Sequence, residues 1–382
     1  MSCWLRRSIL LLLVLCPIGC HRGANPEAIL IGHLAPFSGP DKDIGEHARQ
    51  AILLAVEDIN KEENRIQGRK INVLHPQYAP EDPDNLQPVA VRLVTVNRVV
   101  SLLGGADLGE AERQERAVQP YDVPLVTFAD LPPELLGENV FSVNAGLAFQ
   151  GLVLARFVKQ ELKANQVALL VDGRQASCTT LANIFNKEFS KTNMSHVHEW
   201  NYKNSNDLSD LAERVKKLQP SAIVHAGMVN DLGRLREKLQ AAGIKAPIIF
   251  GGDAEHLSLT GAQREASNGV YVATPYIPSN MPAENEKFVK EYQERFKQLP
   301  DLHAALAYDG LQVVFEAMRR AKAFQPAKIR AALAEMTTKP FEKSLSGSWT
   351  FDKNHSARRP LFVGKMENGR VSNARPYPAE EK

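Results

Sequence analysis

Short apolar runs alternate with helical patterns through most of this chain. The run Ile29–Leu34 is apolar with little interruption, as expected for a strand buried on both faces. From Ala48 to Ile59, apolar residues recur mostly at spacings of three and four, which is typical of an amphipathic helix. The same alternation predicts strands at 71–74, 99–103 and 124–127 and helices at 86–96 and 110–118. Such alternation indicates βαβ units and a parallel sheet.

The alternation begins again at residue 166. Residues 166–171 repeat the opening strand pattern, and Gly243 is placed to end a helix of the second half. That half is predicted to contain strands at 196–200, 221–225, 247–250 and 270–273 and helices at 177–189, 208–218 and 232–239. The C-terminal part is predicted to contain helices at 284–296, 304–321 and 327–336. It is predicted to end in a hairpin-like pair of strands at 348–351 and 361–363. Two α/β halves in tandem predict two lobes, with ligand sites outside the carboxyl ends of the strands.

The N-terminal residues have the composition of an export signal. Two arginines precede an apolar stretch at 9–15, and small residues follow it up to Cys20. The stretch is shorter than the roughly 20 apolar residues of a membrane-spanning helix. Residues 1–20 resemble a lipoprotein signal peptide, after which Cys20 would carry lipid and attach the mature chain to the membrane. Pro17 stands where such signals usually have leucine, so an ordinary cleaved signal is the alternative interpretation.

The composition fits an exported globular protein. The chain has 382 residues, of which 44% are hydrophobic, and this length favours two domains. The 46 basic and 44 acidic side chains nearly balance, so there is no basic footprint for nucleic acid. Cys178 is the only cysteine after Cys20, which leaves no intramolecular disulfide if Cys20 carries lipid. We therefore expect a periplasmic or cell-surface protein that is attached to the membrane through a lipid anchor.

Several sequence motifs occur in the order of a known family. The segment IGHLAPFSGPDKDIGEHARQAILLAVEDIN (31–60) combines a strand, a Pro-Phe-Ser-Gly-Pro loop and a helix that ends in Ile-Asn. It is similar to the opening of the periplasmic leucine/isoleucine/valine-binding protein family. Further matches follow in order: VVSLLGG (99–105), VPLVTFA (123–129), IIFGGDA (248–254), SNGVYVATPY (267–276), ALAYDGLQVVFEAMRRA (305–321) and SGSWTFDKN (346–354). The resemblance covers about residues 28–371.

The resemblance implies an α/β architecture, the type I periplasmic binding protein fold. Two doubly wound parallel-sheet lobes would be joined by a three-segment hinge and would close on a ligand between them. Lobe 1 would comprise residues 28–144 and 277–346, and lobe 2 residues 145–276 and 347–375. The three expected crossings between the lobes lie near Asn144, Tyr276 and Gly347.

The resemblance also implies ligand-binding positions. The family holds an amino-acid carboxylate with a serine hydroxyl and backbone donors, and the ammonium group with a threonine hydroxyl, a backbone carbonyl and an acid, because buried charges must be paired. In this chain the serine place holds Leu108, the threonine place Leu131 and the acid place Asp253, while a backbone contact is implied at Ala129. The family's covering aromatic places hold Ile44, Ala176 and Met228. The scaffold therefore matches the family, whereas the amino-acid signature does not.

Other polar residues near the expected strand ends are candidate contacts. Asp107 and Asp130 would be acidic contacts from lobe 1, or solvated loop residues. Thr127 and Ser177 would offer hydroxyl groups. Asp253 would meet a cationic or hydroxyl group of the ligand, or would serve as a helix cap or turn residue. If the three acids line the cleft, a cationic ligand fits electrostatically.

No arrangement of residues points to catalysis or to a cofactor. Residues 104–109 lack the Lys-Ser/Thr of a P-loop, and His196 and His198 share a strand face without a visible third metal ligand. We expect a solute-binding lipoprotein that captures a small polar molecule (amino-acid-like, amide or cationic) for an ABC importer, with the membrane permease as partner. The alternative is an envelope interaction or sensory lipoprotein that keeps the fold without transport.

Overall fold

The computed structural model describes most of the chain after the expected export signal. The described residues are 28–39, 41–78, 83–129, 131, 137–191, 195–204, 206–252, 261–279 and 282–379. Cys20, Asp130 and Asp253, on which predictions were made, lie outside them. Within this part of the chain, no helix is long and apolar enough to cross a membrane.

Strands and helices alternate over the described residues, and each kind is numbered in chain order. The strands are β1 (Ile29–Leu34), β2 (Ile71–Leu74), β3 (Leu102–Gly104), β4 (Leu125–Thr127), β5 (Val140–Ala145), β6 (Gln166–Asp172), β7 (His196–Tyr202), β8 (Ala222–Gly227), β9 (Ile248–Gly252), β10 (Tyr271–Thr274), β11 (Thr350–Phe351), β12 (Ser356–Arg358), β13 (Leu361–Glu367) and β14 (Arg370–Tyr377). The α-helices are α1 (Lys42–Ile59), α2 (Pro83–Thr95), α3 (Leu108–Val118), α4 (Leu147–Gln160), α5 (Ala176–Phe189), α6 (Asp207–Leu218), α7 (Val229–Ala241), α8 (Gly261–Ser267), α9 (Ala283–Phe296), α10 (Leu302–Ala321) and α11 (Pro326–Ala334).

The first sheet has the strand order β11-β12-β5-β4-β3-β1-β2. All neighbours run parallel except β11 and β12, which are antiparallel. Helices cover both faces: α1, α10 and α11 contribute to the core on one face, and residues of α2 and α3 contribute to the core on the other. This double covering explains why β3 and β4 are buried at every residue.

The second sheet has the strand order β14-β13-β10-β9-β8-β6-β7. The strands β6 to β10 are parallel, while β13 is antiparallel to both β10 and β14. One face packs against α4 and α5, and the other against α6 and α7. The predicted α/β architecture with two doubly wound lobes is therefore confirmed.

The chain passes three times between the sheets. It leaves the first sheet after Ala145, leaves the second after Thr274, and returns from the first to the second between Arg358 and Leu361. The third passage corrects the expected crossing at Gly347, because β11 and β12 still belong to the first sheet. The predicted final strand pair is wrong for the same reason. Strand β11 pairs with β12 across a short turn, and β13 pairs with β10 and β14.

Strand β5, which leads into the first passage, was not predicted from the sequence pattern. Two of its positions are polar, namely Ser142 and Asn144, and both are buried. The Ser142 hydroxyl donates to the Ala129 carbonyl at 2.7 Å, and the Asn144 amide donates to the Phe128 carbonyl at 3.1 Å. Because these hydrogen bonds satisfy the polar groups, a strand without an apolar run can occupy the interior of the sheet.

Candidate ligand-binding cleft

The loops at the carboxyl ends of the parallel strands form two rims, one on each lobe. The first rim consists of residues 35–39, 75–78, 105–110, 127–129 and 131, around the ends of β1 to β4. The second rim consists of residues 172–178, 202–204 and 225–231, around the ends of β6, β7 and β8. In open α/β sheets, ligands bind outside these ends of the strands, so the rims are the place to search for a site.

A cluster of aromatic and imidazole rings lies at the first rim. The ring of His33, near the end of β1, lies 5.8 Å from Phe37, 5.0 Å from His75 and 6.1 Å from Phe128, measured between centroids. His33 Nδ1 and His75 Nδ1 are hydrogen-bonded at 2.8 Å. Burial lowers the pKa of His33 well below its usual value and that of His75 to about 4. Both imidazoles are therefore neutral near pH 7, and the partly exposed Phe37 and His75 present an uncharged ring surface.

On the same rim, Glu110 is a buried carboxyl group in the first turn of α3. It accepts hydrogen bonds from the Tyr78 hydroxyl and, at 3.1 Å, from the Ala106 backbone amide. Burial and the nearby charge of Asp107 raise the pKa of Glu110 to about 7. The carboxyl thereby connects the loop after β2 to the beginning of α3.

Asp107 and Leu108, two predicted ligand contacts at the start of α3, interact with other residues of the same lobe. Asp107 caps the helix, since its carboxylate accepts from the Glu110 amide at 2.8 Å. Leu108 packs against a small buried cluster that includes Leu131, which is only 3% exposed. In the positions where the related family places hydroxyl groups, this chain therefore has leucines that belong to an apolar cluster.

Thr127 and Ala129, at the end of β4, direct their polar groups toward neighbours in the same lobe. The buried Thr127 hydroxyl donates to the Gly105 carbonyl at 3.2 Å and accepts from the Ala129 amide at 3.2 Å. The Ala129 carbonyl accepts the Ser142 hydroxyl described above. These groups order the loops after β3 and β4, and a ligand would have to share them.

The second rim carries a charged cluster that the sequence analysis did not single out. Arg174 donates to both carboxylate oxygens of Asp172, at 2.8 and 2.6 Å, and its Nη2 also donates to Asp231 at 2.6 Å. The Arg174 side chain is 40% exposed, whereas those of Asp172 and Asp231 are 0% and 7% exposed. Burial would raise the pKa of Asp172, but the hydrogen bonds from Arg174 outweigh it and hold that pKa below its usual value. The two aspartates thus fix a guanidinium at the surface of the rim.

Behind Arg174 lies a buried polar pair that supports the cluster. The Tyr202 hydroxyl lies 2.9 Å from His225 Nε2 and 3.3 Å from Asp231 Oδ2. Burial lowers the pKa of His225 to about 4 and raises that of Tyr202, so both side chains are neutral near pH 7. The Arg174 guanidinium also lies 5.8 Å above the Tyr202 ring. One feature of the sequence could have indicated this arrangement. Asp172 and Arg174, which are separated by one glycine, directly follow a predicted strand.

The remaining candidates of the second lobe lie on the same rim. Ser177 is in the first turn of α5 and Met228 directly precedes α7, and both are partly exposed. Asp253, the residue after β9 in sequence, is outside the described residues. The predicted ligand contacts that lie among the described residues are therefore divided between the two rims. Asp107, Leu108, Thr127, Ala129 and Leu131 are on the first, and Ser177 and Met228 are on the second.

The chain resembles curated proteins over nearly its full length. It is 22% identical over 379 residues to the Leu/Ile/Val-binding protein homolog 7 of Brucella suis, with 93% of each chain covered. It is 24% identical over 268 residues to the Leu/Ile/Val-binding protein of Escherichia coli, which covers 68% of this chain and 72% of that protein.

Solved structures share the fold. A leucine-binding protein from Thermotoga maritima superposes with a TM-score of 0.79 at 22% identity, covering 92% of this chain and 99% of the other. A solute-binding protein of an ABC transporter from Rhodopseudomonas palustris, in complex with 3,4-dihydroxybenzoic acid, gives a TM-score of 0.73 at 20% identity, covering 93% and 98%. A family model described as periplasmic binding protein matches residues 28–370. The chain therefore belongs to the periplasmic binding protein family.

Proposed function

We propose that this protein is an extracytoplasmic receptor that captures a small polar solute between its lobes and delivers it to an ABC importer. The observation that carries the proposal is the pair of parallel sheets, each with a rim of strand ends, joined by three chain passages. Three passages constrain the lobes to rotate about one hinge, so a solute that touches both rims favours the closed form.

The chemistry of the rims favours an amino-acid-like solute. Arg174 donates from Nε and Nη2 to Asp172 and Asp231, so its orientation is fixed before a ligand arrives, and its Nη1 would donate to the carboxylate of the solute. Asp253 would pair with the amino group, as its place in the family implies. The uncharged surface of Phe37 and His75 would contact the apolar part of the solute. The leucine complexes and aromatic-acid complexes of the structural relatives likewise hold solutes with a carboxylate.

A thermal-shift screen tests this function directly. The panel contains amino acids, amides, polyamines, small acids and aromatic acids. A true ligand at a hundredfold excess over its Kd should add about 2.7 kcal/mol to the free energy of unfolding. Asp253→Ala should remove the ligand-driven shift while the ligand-free melting temperature stays close to wild type. Arg174→Lys should weaken the shift, measured against the variant's own ligand-free melting temperature, because lysine cannot reproduce the contacts of the guanidinium. Arg214→Ala, which removes an exposed arginine of α6, should respond like the wild type.

The leucines at positions 108 and 131 favour one alternative. With an apolar cluster in place of the family's hydroxyl groups, the fold would serve as an envelope interaction or sensory module without transport. No shift with any compound of the panel would contradict solute capture and favour this alternative. Unfolding of Asp253→Ala in the absence of ligand would assign that residue a structural role.

A further inference from the structure

Two uncharged histidines are hydrogen-bonded to each other at the first rim. His33 Nδ1 and His75 Nδ1 lie 2.8 Å apart, and the lowered pKa of each imidazole leaves both rings neutral near pH 7. A hydrogen bond between two neutral imidazoles contains one proton, so one Nδ1 donates and the other accepts. Because each neutral ring carries one proton in total, the position of the bridging proton also decides which of the two Nε2 atoms is protonated.

No other group among the described residues fixes the position of this proton. His33 is 0% exposed, and its Nε2 is a buried nitrogen without a hydrogen-bond partner. The neighbouring rings of Phe37 and Phe128, whose centroids lie 5.8 and 6.1 Å from that of His33, offer no polar atom. His75 is partly exposed, and the bond to His33 is its only hydrogen bond within the described part of the chain. A group that binds to His75 Nε2 would therefore set the protonation of both rings.

The charged side chains that influence His75 are already paired. The charges of Arg49 and Glu46, on α1, act on the pKa of His75, but these two side chains form an ion pair with each other at 2.7 Å. A charged solute group at His75 would have to compete for these partners, and a charge without a partner is costly to bury. A neutral group that forms hydrogen bonds avoids this cost.

We infer that His75 is a specificity-determining contact, and that the solute carries a hydroxyl or carboxamide group that hydrogen-bonds to His75 Nε2. The contact rests on the proposed function, because it belongs to the same interlobe site. When His33 holds the bridging proton, His75 Nε2 donates, and when His75 holds it, Nε2 accepts. His33 is the positioning residue, since it holds the His75 ring and takes up the change of proton. With Arg174 on the other rim, the solute class is an acid with a neutral polar group remote from its carboxylate.

Matched pairs of probes test the contact. The pairs are tyrosine and phenylalanine, threonine and valine, asparagine and leucine, and 4-hydroxybenzoate and benzoate. Isothermal titration calorimetry gives the Kd of both members. In at least one pair, the wild type should bind the polar member about tenfold more tightly, the effect of one hydrogen bond to a partly buried group. In His75→Phe this preference should disappear, while the affinity for the apolar member stays close to that of the wild type.

Two further variants separate hydrogen bonding from structure. His75→Gln should keep part of the preference, because its side-chain amide can donate or accept. His198→Phe, which replaces an exposed histidine of β7, should keep the full preference. Because each preference is a ratio measured on one variant, a change in the stability of that variant does not alter it.

The possible outcomes distinguish this contact from solute capture itself. Binding of the probes without a preference for a polar member, or an unchanged preference in His75→Phe, would overturn the contact and leave solute capture intact. A solute from the wider screen that has neither a hydroxyl nor a carboxamide group would overturn it as well. No binding of any compound would contradict the proposed function, and the contact with it.

Nitrogen-15 NMR of the histidine side chains tests the role of His33. The chemical shift of an imidazole nitrogen depends on whether it is protonated. The polar member of a pair should change the shifts of His33 and His75 together, because one proton joins the two rings, whereas the apolar member should leave them unchanged. A change confined to His75 would contradict the positioning role of His33.

Discussion

At the scale of single residues, the ionisation of Glu110 makes the stability of the fold depend on pH. Its carboxyl is 5% exposed and carries a pKa of about 7, because burial and Asp107 disfavour its charged form. A raised pKa means that the folded state holds the proton more tightly than the unfolded state. The folded protein therefore loses stability as the pH rises from the ordinary glutamate value through about 7.

Replacing Glu110 by glutamine should remove this loss. The amide oxygen of Glu110→Gln can still accept from Tyr78 and Ala106, but it does not ionise. As the pH rises from about 4.5 to about 8, the wild type should lose stability that the variant keeps. The difference between the unfolding free energies of variant and wild type should therefore increase by about 3 kcal/mol over this interval. Urea denaturation at both pH values measures the difference.

Glu112→Gln is the matched control, since it removes a negative charge from a partly exposed position of the same helix. An equal gain in this control would attribute the effect to net charge and would contradict the role of burial at Glu110.

Residue-level prediction from sequence succeeded only in part. The motif order located the strand ends near Asp107, Thr127 and Met228, because apolar runs and turn residues determine where parallel strands stop. The partners of these side chains could not be predicted. The cluster around Arg174 joins residues from β6 and α7 that are 57 positions apart in the sequence, and only the folded sheet brings them together.

At the scale of elements, Arg359 joins the segments that meet at the hinge. It is fully buried between β12 and β13 and donates to the Val143 carbonyl at 2.9 Å, to the Ser346 hydroxyl at 3.1 Å and to Asp309 of α10 at 2.7 Å. The third chain passage is thus connected to the first passage and to the longest helix by one side chain. This hub was not predicted, because the hinge segments carry no periodic pattern.

Arg359→Ala should destabilise the protein strongly. It leaves the Asp309 carboxylate buried without a cation, which costs about 3–5 kcal/mol. The double variant Arg359→Met with Asp309→Leu should recover much of this loss, because it removes both charges and keeps apolar volume. Urea denaturation of the single and double variants provides the comparison. A double variant as unstable as Arg359→Ala would show that the hub acts through shape and not through charge.

The elements themselves were predicted better than their contacts. Most helices and parallel strands lie within a few residues of the sequence patterns, since periodic burial is a local property. The exceptions are α4, α8, β5, β12 and β14, which were not predicted, and the pairing of β11 to β14, which depends on contacts across the sheets.

At the scale of the whole molecule, the proposed receptor function would depend on the two lobes and on the expected lipid anchor. A receptor bound to a membrane by lipid stays close to its permease, while the hinge leaves the lobes free to open and close. The expected anchor would depend on Cys20, which would begin the mature chain if residues 1–20 are a lipoprotein signal.

Cys20→Ser should release the protein from the membrane without changing its fold. In a bacterial host, the wild type should sediment with membranes and partition into detergent, whereas the variant should be found in the soluble extracellular or periplasmic fraction. Cys178→Ser, at a buried position of α5, controls for the loss of a thiol. Equal distribution of wild type and Cys20→Ser would contradict the lipid anchor and favour an ordinary cleaved signal.

The strand order of the sheets has a consequence for biogenesis. Strand β12 lies beside β5 in the first sheet, and β13 lies beside β10 in the second. Both strands come after every helix of the described residues. A nascent polypeptide emerging from the export channel amino-terminus first therefore cannot finish either half until its tail has been translocated. Until then, β5 and β10 each have an unpaired edge, and such edges favour aggregation of an incompletely folded chain.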